Sequence, residues 1–374
     1  MARYELPDIA DLIRLGEPHE HAITVYAETA PGPDEREKSL LTAKSAVDRA
    51  LRTIDAAGAR HAVIEQLRAR WTEIAEAEDW LSLSRSVAIF IADDFHEFYV
   101  LPNALETQLQ VGQRFDIGQL VRAVTTPQEA YALTLSADGW NLWRATAATR
   151  AEEVELVGDH AVDVADATNR ATIRDRGHVR RLVGDEGRKV LLEKYAKRVA
   201  EAVDSELAIL DPGGAKPLYL FSADPLLDMY RALDHKRRIV SVSGAADQLR
   251  PDQIDDAIRE SLPAINAERT NALVEAIADD VSNGLVLTDV GDIARAAAGG
   301  AVATLVYNFT VDILGGIDGE TGALHYDDAG YDLLSAIALT VLKNGGEVVA
   351  VRPDEITAGI WNQTALARLR FPLS

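Results

Sequence analysis

Two similar segments near the end of the sequence constrain the fold most strongly. In each, a helical pattern ends at a pair of glycines and a short β-branched run follows at once. Glycine commonly ends a helix, and a strand directly after the helix is typical of alternating αβ units. The predicted helices are residues 289–298 and 331–343, and the strands after them are residues 301–306 and 347–351. This part of the chain therefore predicts an α/β fold, and the alternating run 365–371 predicts one more strand.

The middle of the chain begins with strands. An Asp-Gly pair at Asp138 and Gly139 separates two alternating runs, which predicts a β-hairpin. A long polar stretch, 158–185, follows a third strand, and such loops are usually functional or disordered. A long amphipathic helix comes next. The predicted order is strands 131–136, 140–145 and 153–157, helix 186–210, strand 217–222, helix 225–233 and strand 238–242.

The length of 374 residues favours two or three domains at about 150 residues each. The residues before 127 predict a separate α/β domain, with a strand at 22–28, a helix at 34–56 and a hairpin around Asp93 and Asp94. A helical region at 251–280 is expected to break or restart at Pro263. The glycine pairs at 299–300, 315–316 and 345–346 are interpreted as caps and turns. We predict domains at 1–126, 127–260 and 261–374, in a mixed α/β (α+β) fold.

Composition excludes several classes of protein. The chain has no cysteine, which excludes disulfides and thiolate metal sites. Its first residues include acids where a signal peptide needs an apolar core, and no apolar run approaches the roughly 20 residues of a membrane span. We therefore expect a cytoplasmic protein without a membrane partner. The net charge of −22 argues against coating of DNA or other nucleic acid over a broad surface.

One strongly basic segment lies within this acidic chain. Between Asn169 and Arg198 there are ten basic residues and only four acidic ones. Seven of the ten are arginines, which bind phosphate in a bidentate manner, so we predict that the segment binds RNA. The alternative is that the helical part is a solvated outer face. The predicted RNA-binding residues are Arg170, Arg174, Arg176, Arg180, Arg181, Arg188, Lys189, Lys194, Lys197 and Arg198. A second basic run, 234–238, adds weak support, because cations at a helix end also complement the helix dipole.

Motifs for cofactors and metals are missing. The sequence has no Walker loop, no dinucleotide glycine fingerprint and no zinc-protease or serine-hydrolase signature. Of the eight histidines only His19 and His21 lie close together, and exposed polar residues explain that pair better than a metal site. We predict no cofactor, no metal and no catalytic residue.

The order of elements and several short segments resemble a known family. The segment from Tyr195 to Glu201 (YAKRVAE) lies on the helix after the long loop. The run at 331–334 (YDLL), the run at 345–351 (GGEVVAV) and the run at 366–371 (LARLRF) lie in the last segment. From about residue 128 onwards the chain resembles the bacterial branch of the archaeo-eukaryotic peptide-chain release factors and Pelota. The resemblance implies a three-domain release-factor-like architecture, with a ribonuclease H-like mixed sheet in the middle domain and a C-terminal α/β sandwich.

The sequence departs from these relatives at one decisive position. Release factors carry Gly-Gly-Gln in the loop before the long helix, and its glutamine assists the attack of water on peptidyl-tRNA. The loop here contains no Gly-Gly pair; Gly213 and Gly214 come after the helix and precede Ala215. Pelota-like members also lack the motif. The resemblance therefore implies a noncatalytic, ribosome-associated factor in rescue, stress or hibernation. Its partners would be the ribosome, through rRNA or tRNA, and a translational GTPase.

Two other functions stay open at this point. A ribonuclease H-like sheet is compatible with an RNA- or tRNA-directed hydrolase or nuclease, in which carboxylates hold Mg²⁺. The candidate carboxylates are Asp138, Asp159, Asp163 and Asp166. Three of these lie in the long loop, which is a poor place for a rigid site. The third hypothesis is that the protein is an acidic protein-interaction scaffold without an RNA partner.

Overall fold

The structure of the protein is a computed structural model that describes residues 6–30, 32–81, 83–156, 163–167, 185–235, 237–327 and 330–372. The chain forms two compact units. One unit contains Met1–Pro127 together with Leu262–Ser374, and the other contains Gln128–Ser261. The division into three domains at 126 and 260 stays a prediction, while the mixed α/β class is confirmed. Within the described ranges, no helix has the length and apolar content that a membrane span requires.

The first segment folds as an antiparallel sheet in the strand order β3-β2-β1-β4. Two helices cover one face of it, where Val47, Leu67 and Trp71 pack against Ile23 and Ile89. The predicted hairpin around Asp93 is confirmed. The elements are α1 (Ile9–Leu15), β1 (Ala22–Glu28), α2 (Pro33–Ala56), α3 (His61–Ala75), β2 (Ser86–Ala92), β3 (His96–Leu101), β4 (Gln108–Gly112) and α4 (Gly118–Thr125).

The middle segment folds around a mixed five-stranded sheet in the order β7-β6-β5-β8-β9. Strands β5, β6 and β7 pair antiparallel, whereas β8 and β9 run parallel to β5. The predicted mixed sheet and helix are confirmed, although the third strand is shorter than predicted. The elements are β5 (Ala130–Ser136), β6 (Gly139–Ala145), β7 (Glu152–Glu153), α5 (Val164–Ala167), α6 (Asp185–Leu210), β8 (Leu218–Ser222), α7 (Leu226–Arg231), β9 (Ile239–Ser243) and α8 (Pro251–Ala278).

The last segment contains both predicted helix–glycine–strand units. A sheet with the order β10-β16-β11-β15 carries them, and a second, small sheet has the order β13-β12-β14. The elements are β10 (Val286–Leu287), α9 (Val290–Ala298), β11 (Val302–Asn308), β12 (Leu314–Ile317), β13 (Leu324–Tyr326), β14 (Tyr331–Asp332), α10 (Leu333–Lys343), β15 (Glu347–Val351) and β16 (Ala365–Leu369). Short 3-10 helices occur at Glu78–Leu81, Ala246–Gln248, Val281–Asn283 and Pro353–Glu355.

Two local predictions were wrong. Helix α8 continues through Pro263 without a break. A proline removes one backbone donor from a helix, but the remaining hydrogen bonds of a long helix can hold the segment together. Gly315 and Gly316 lie in strand β12 and form neither a cap nor a turn. A Cβ on Gly315 would overlap the His325 carbonyl oxygen, so the close approach of β13 requires glycine there.

The first and last segments of the chain share one hydrophobic core. Tyr26 and Phe90 from the first sheet belong to the same buried cluster as Leu305 and Ile337 from the last segment. An ion pair adds to this packing, because Arg122 on α4 donates to both carboxylate oxygens of Glu355 at 2.6 and 2.8 Å. Helix and sheet periodicity cannot reveal this packing, since it joins residues more than two hundred positions apart.

A half-buried carboxyl group lies beside this shared core. Asp116 accepts hydrogen bonds from the Gln108 side-chain amide at 2.6 Å and from the Gly118 backbone N–H at 3.2 Å. Burial, together with the charges of Asp312 and Asp332, raises the pKa of Asp116 to about 6, and the two hydrogen bonds limit the rise. Asp332 caps α10 by accepting from the Leu334 and Ser335 backbone N–H groups, and burial raises its pKa as well.

The raised pKa of Asp116 makes the stability of this unit depend on pH. The folded state binds the proton more tightly than the unfolded state, so the stabilisation is complete below the unfolded pKa and is lost as pH rises through the folded pKa. From below about pH 3 to above about pH 7 the free energy of unfolding should fall by about 3 kcal/mol in total on account of this group, most of it between about pH 4 and pH 6. Asp116→Asn should therefore become more stable than wild type as pH rises, as measured by urea unfolding at several pH values. A matched Asp55→Asn change on the exposed end of α2 should show no such trend, and parallel pH profiles for all three proteins would contradict the prediction.

Candidate functional site

Helix α6 has one buried and one exposed face. Leu192, Tyr195, Val199, Val203 and Leu207 recur at helical spacing and are buried against the middle sheet. Each fully buried Leu or Val stabilises the fold by about 1.5–3 kcal/mol, so this stripe fixes the rotation of the helix about its axis. The basic residues consequently lie outside. The five predicted cationic residues on the helix, all of them exposed, are Arg188, Lys189, Lys194, Lys197 and Arg198.

Three of these cations have no acidic partner in the part of the chain that the structure describes. Lys189 lies 4.0 Å from Glu193, and Lys197 lies 3.9 Å from Glu201. Such exposed pairs are worth about 0.3–0.5 kcal/mol, so they leave the lysines available to a stronger partner. Arg188, Lys194 and Arg198 take part in no described ion pair.

Three of the cations also share one side of the helix. At 3.6 residues per turn, Lys194, Lys197 and Arg198 fall within an arc of about 100°, opposite the buried stripe. With a rise of about 1.5 Å per residue, Arg188 and Arg198 are separated by about 15 Å along the axis. We call Lys194, Lys197 and Arg198 the cationic face of α6; Arg188 and Lys189 are exposed near the start of the helix, about 130° around the axis from the centre of this face. Such a face can contact several phosphates of one strand.

The other half of the predicted RNA-binding set lies outside the described residues. These five positions are Arg170, Arg174, Arg176, Arg180 and Arg181. Their contribution to RNA binding stays a prediction.

The second basic run contains a structural arginine instead of a surface one. Arg237 donates to the Asp211 carboxylate at 2.8 Å, and both side chains are only 7% exposed. Burial alone would raise the pKa of Asp211, but hydrogen bonds from the Lys216 backbone N–H and from Arg237 outweigh it and lower the pKa. His235 stacks on Tyr230, with ring centroids 4.8 Å apart. Arg237 therefore holds the segment after α6 and does not belong to the cationic face.

The carboxylates of the nuclease alternative do not form a metal site among the described residues, where no group of three His, Cys, Asp or Glu can hold a metal ion. Asp163 accepts from the Asp166 backbone N–H at 2.8 Å at the start of α5, and Asp159 lies outside the described residues. Burial raises the pKa of Tyr195, and the charges of Asp163 and Asp138 raise it further. Sequence spacing did not indicate that Asp138 and Asp163 both lie close to Tyr195.

A family model matches this part of the chain. Residues 127–268 match the description "bacterial archaeo-eukaryotic release factor family 11", and the match includes the whole of the middle unit and its cationic face. Over this segment the chain is similar to the bacterial branch of the archaeo-eukaryotic release factor superfamily. The resemblance inferred from the sequence is thereby confirmed, and it supports a translation-related factor.

Several solved structures resemble the chain more distantly. Pelota of Archaeoglobus fulgidus is 12% identical, with 77% of this chain and 80% of that chain covered and a TM-score of 0.39. The archaeal translation termination factor aRF1 is 12% identical, with 98% and 99% covered and a TM-score of 0.24. Dom34 of S. cerevisiae is 13% identical, with 77% and 74% covered and a TM-score of 0.34. These TM-scores are too low to define any residue or partner of this chain. No curated protein matches the sequence.

Removal of the Arg237 side chain should destabilise the middle unit. A comparison with an exposed arginine shows whether the loss comes from the buried ion pair or from the change in net charge. Arg237→Ala leaves the buried Asp211 carboxylate without its ionic partner, which should cost about 3 kcal/mol in the free energy of unfolding. Arg231→Ala removes the same charge from an exposed arginine, 3.8 Å from Asp228, and should cost less than about 0.5 kcal/mol. Urea unfolding of both variants measures the difference. Equal stabilities would contradict the structural role of Arg237.

Proposed function

We propose that this protein is a noncatalytic, ribosome-associated translation factor that docks on RNA phosphates through the cationic face of α6. The observation that carries the proposal is the concentration of exposed cations on one side of a helix in a chain of net charge −22. A local positive surface on an acidic protein attracts a polyanion at one place and repels it elsewhere. The family match supports translation as the setting.

The chemistry of the cationic face suits an RNA backbone. Arginine guanidinium groups bind phosphate oxygens in a bidentate manner, and lysines add mobile point charges. The cationic face presents both kinds of cation on adjacent turns of the helix: the lysines Lys194 and Lys197, and the arginine Arg198. Such contacts position a protein on RNA without reading its sequence. We place the partner RNA in the ribosome, as rRNA or bound tRNA.

Residues 158–185 contain no Gly-Gly pair, which supports a factor that does not catalyse peptide release. We propose a role in ribosome rescue, stress or hibernation, and a location in the cytoplasm. The arginines at 170–181 would extend the RNA contact beyond the helix. A translational GTPase remains the predicted protein partner of the last segment of the chain.

Charge reversal on the helix should weaken ribosome binding and its dependence on salt. Lys194→Glu/Lys197→Glu/Arg198→Glu removes three phosphate contacts, so the slope of log affinity against log salt should decrease by about 2 to 3. Co-sedimentation with ribosomes over a salt series measures both the affinity and the slope.

A matched control distinguishes a local contact from a change in net charge. Arg36→Glu/Arg49→Glu/Arg52→Glu places the same three reversals on exposed positions of α2. We expect this variant to bind as wild type does. Equal loss in the two variants, or ribosome binding that ignores both salt and reversal, would overturn the proposed interface.

A further inference from the structure

The small sheet β13-β12-β14 carries an open groove that the proposed function does not use. The groove has a volume of about 630 Å³ and is lined by Asp312, Ile313, Leu314, Tyr326 and Asp327. We call it the β13 groove. It lies in the unit formed by the first and last segments of the chain, which does not contain the cationic face of α6.

Large apolar side chains are exposed in and beside the β13 groove. Tyr326 is 69% exposed, Leu314 is 38% exposed and Val311 is 37% exposed. Three such residues within sixteen positions form a local apolar surface, whereas isolated exposed apolar residues need no explanation. An apolar surface of this kind with polar residues at its rim is typical of a binding site.

The charge at the β13 groove is negative. Asp312 and Asp327 line it, and the groove has no basic lining residue within the described ranges. Asp312 is close enough to Asp116 and Asp332 for its charge to raise the pKa of both. The nearby cation Arg114 is already engaged, since it lies 4.2 Å from the centroid of the Tyr331 ring and donates to the Gly16 carbonyl oxygen. The field at the groove therefore favours a positively charged partner.

The backbone beside the groove offers an edge for strand addition. Strand β13 pairs with β12, and its opposite edge has no strand partner among the described residues. The pairing is close, because a Cβ on Gly316 would overlap the His325 ring. Unpaired N–H and C=O groups at such an edge can bind an extended peptide, while pockets select its side chains.

We propose that the β13 groove binds a basic, apolar segment of a partner protein, which adds to β13 as a strand. Leu314 and Tyr326 contact an apolar side chain of the segment, and Asp312 and Asp327 pair with lysine or arginine on either side of it. Apolar contact supplies the anchor, and charge complementarity excludes acidic segments. The proposal does not depend on ribosome binding.

A fluorescent peptide of alternating valine and lysine tests the proposal on the full-length protein. Fluorescence anisotropy should show saturable binding of this peptide and none of the matched valine–glutamate peptide. A valine–lysine peptide with alternate backbone nitrogens methylated should bind far more weakly, because methylation removes donors to the strand edge. Absence of saturable binding, or equal binding of the methylated peptide, would overturn strand addition at β13.

Two surface variants locate the binding site. Tyr326→Ala and Asp312→Lys should each weaken the affinity for the peptide by roughly tenfold or more, as expected for residues central to an interface. Asp34→Lys on α2 makes the same charge change at another exposed position and should leave binding unchanged. Wild-type affinity in the two groove variants, or equal loss in Asp34→Lys, would overturn the assignment. Ribosome co-sedimentation of the groove variants should match wild type, so failure here is distinguishable from failure of the RNA interface.

Discussion

Burial of one stripe of α6 against the middle sheet is the contact on which the proposed RNA interface depends. Tyr195, Val199 and Val203 are fully or almost fully buried there. A helix whose apolar stripe is fixed has no freedom to rotate, so the direction of every other side chain is set by its position in the helical repeat. Lys194, Lys197 and Arg198 point to solvent for that reason. The same packing that stabilises the unit thus also creates its positive surface.

The unit formed by the first and last segments of the chain depends on a different constraint, which is the hydrophobic core that these two segments share. Tyr26 and Ile337, far apart in sequence, are buried in one cluster, and the Arg122–Glu355 pair joins the same two segments. A half-buried carboxyl group beside this core, Asp116, must either keep its proton or remain charged at a cost in desolvation. Hydrogen bonds from Gln108 and Gly118 reduce that cost and do not remove it, and this explains the direction of the pKa shift.

Local sequence patterns predicted most elements of the fold, including helix α6, which carries half of the predicted RNA-binding residues; their role in RNA binding stays a prediction. The alternation at 131–136 and the helical spacing of Leu192, Tyr195 and Val199 are properties of neighbouring residues, so the sequence predicts them directly. Packing between distant residues is not a local property. The burial of Arg237 against Asp211, the role of Gly315 in a strand and the shared core all arise from contacts across the chain. The β13 groove was missed for the same reason, because Asp312 and Tyr326 come together only when β12 and β13 pair.

The most direct test of the central claim uses the absence of cysteine from the chain. A single cysteine in Lys194→Cys, and another in Arg52→Cys, can each carry an iron chelate that generates hydroxyl radicals beside the attachment point. The modified proteins are bound to ribosomes and cleavage of the RNA is mapped. The account predicts cleavage at a confined set of nucleotides from position 194 and none from position 52. Bound protein that gives no cleavage from position 194, or the same cleavage from both positions, would contradict it.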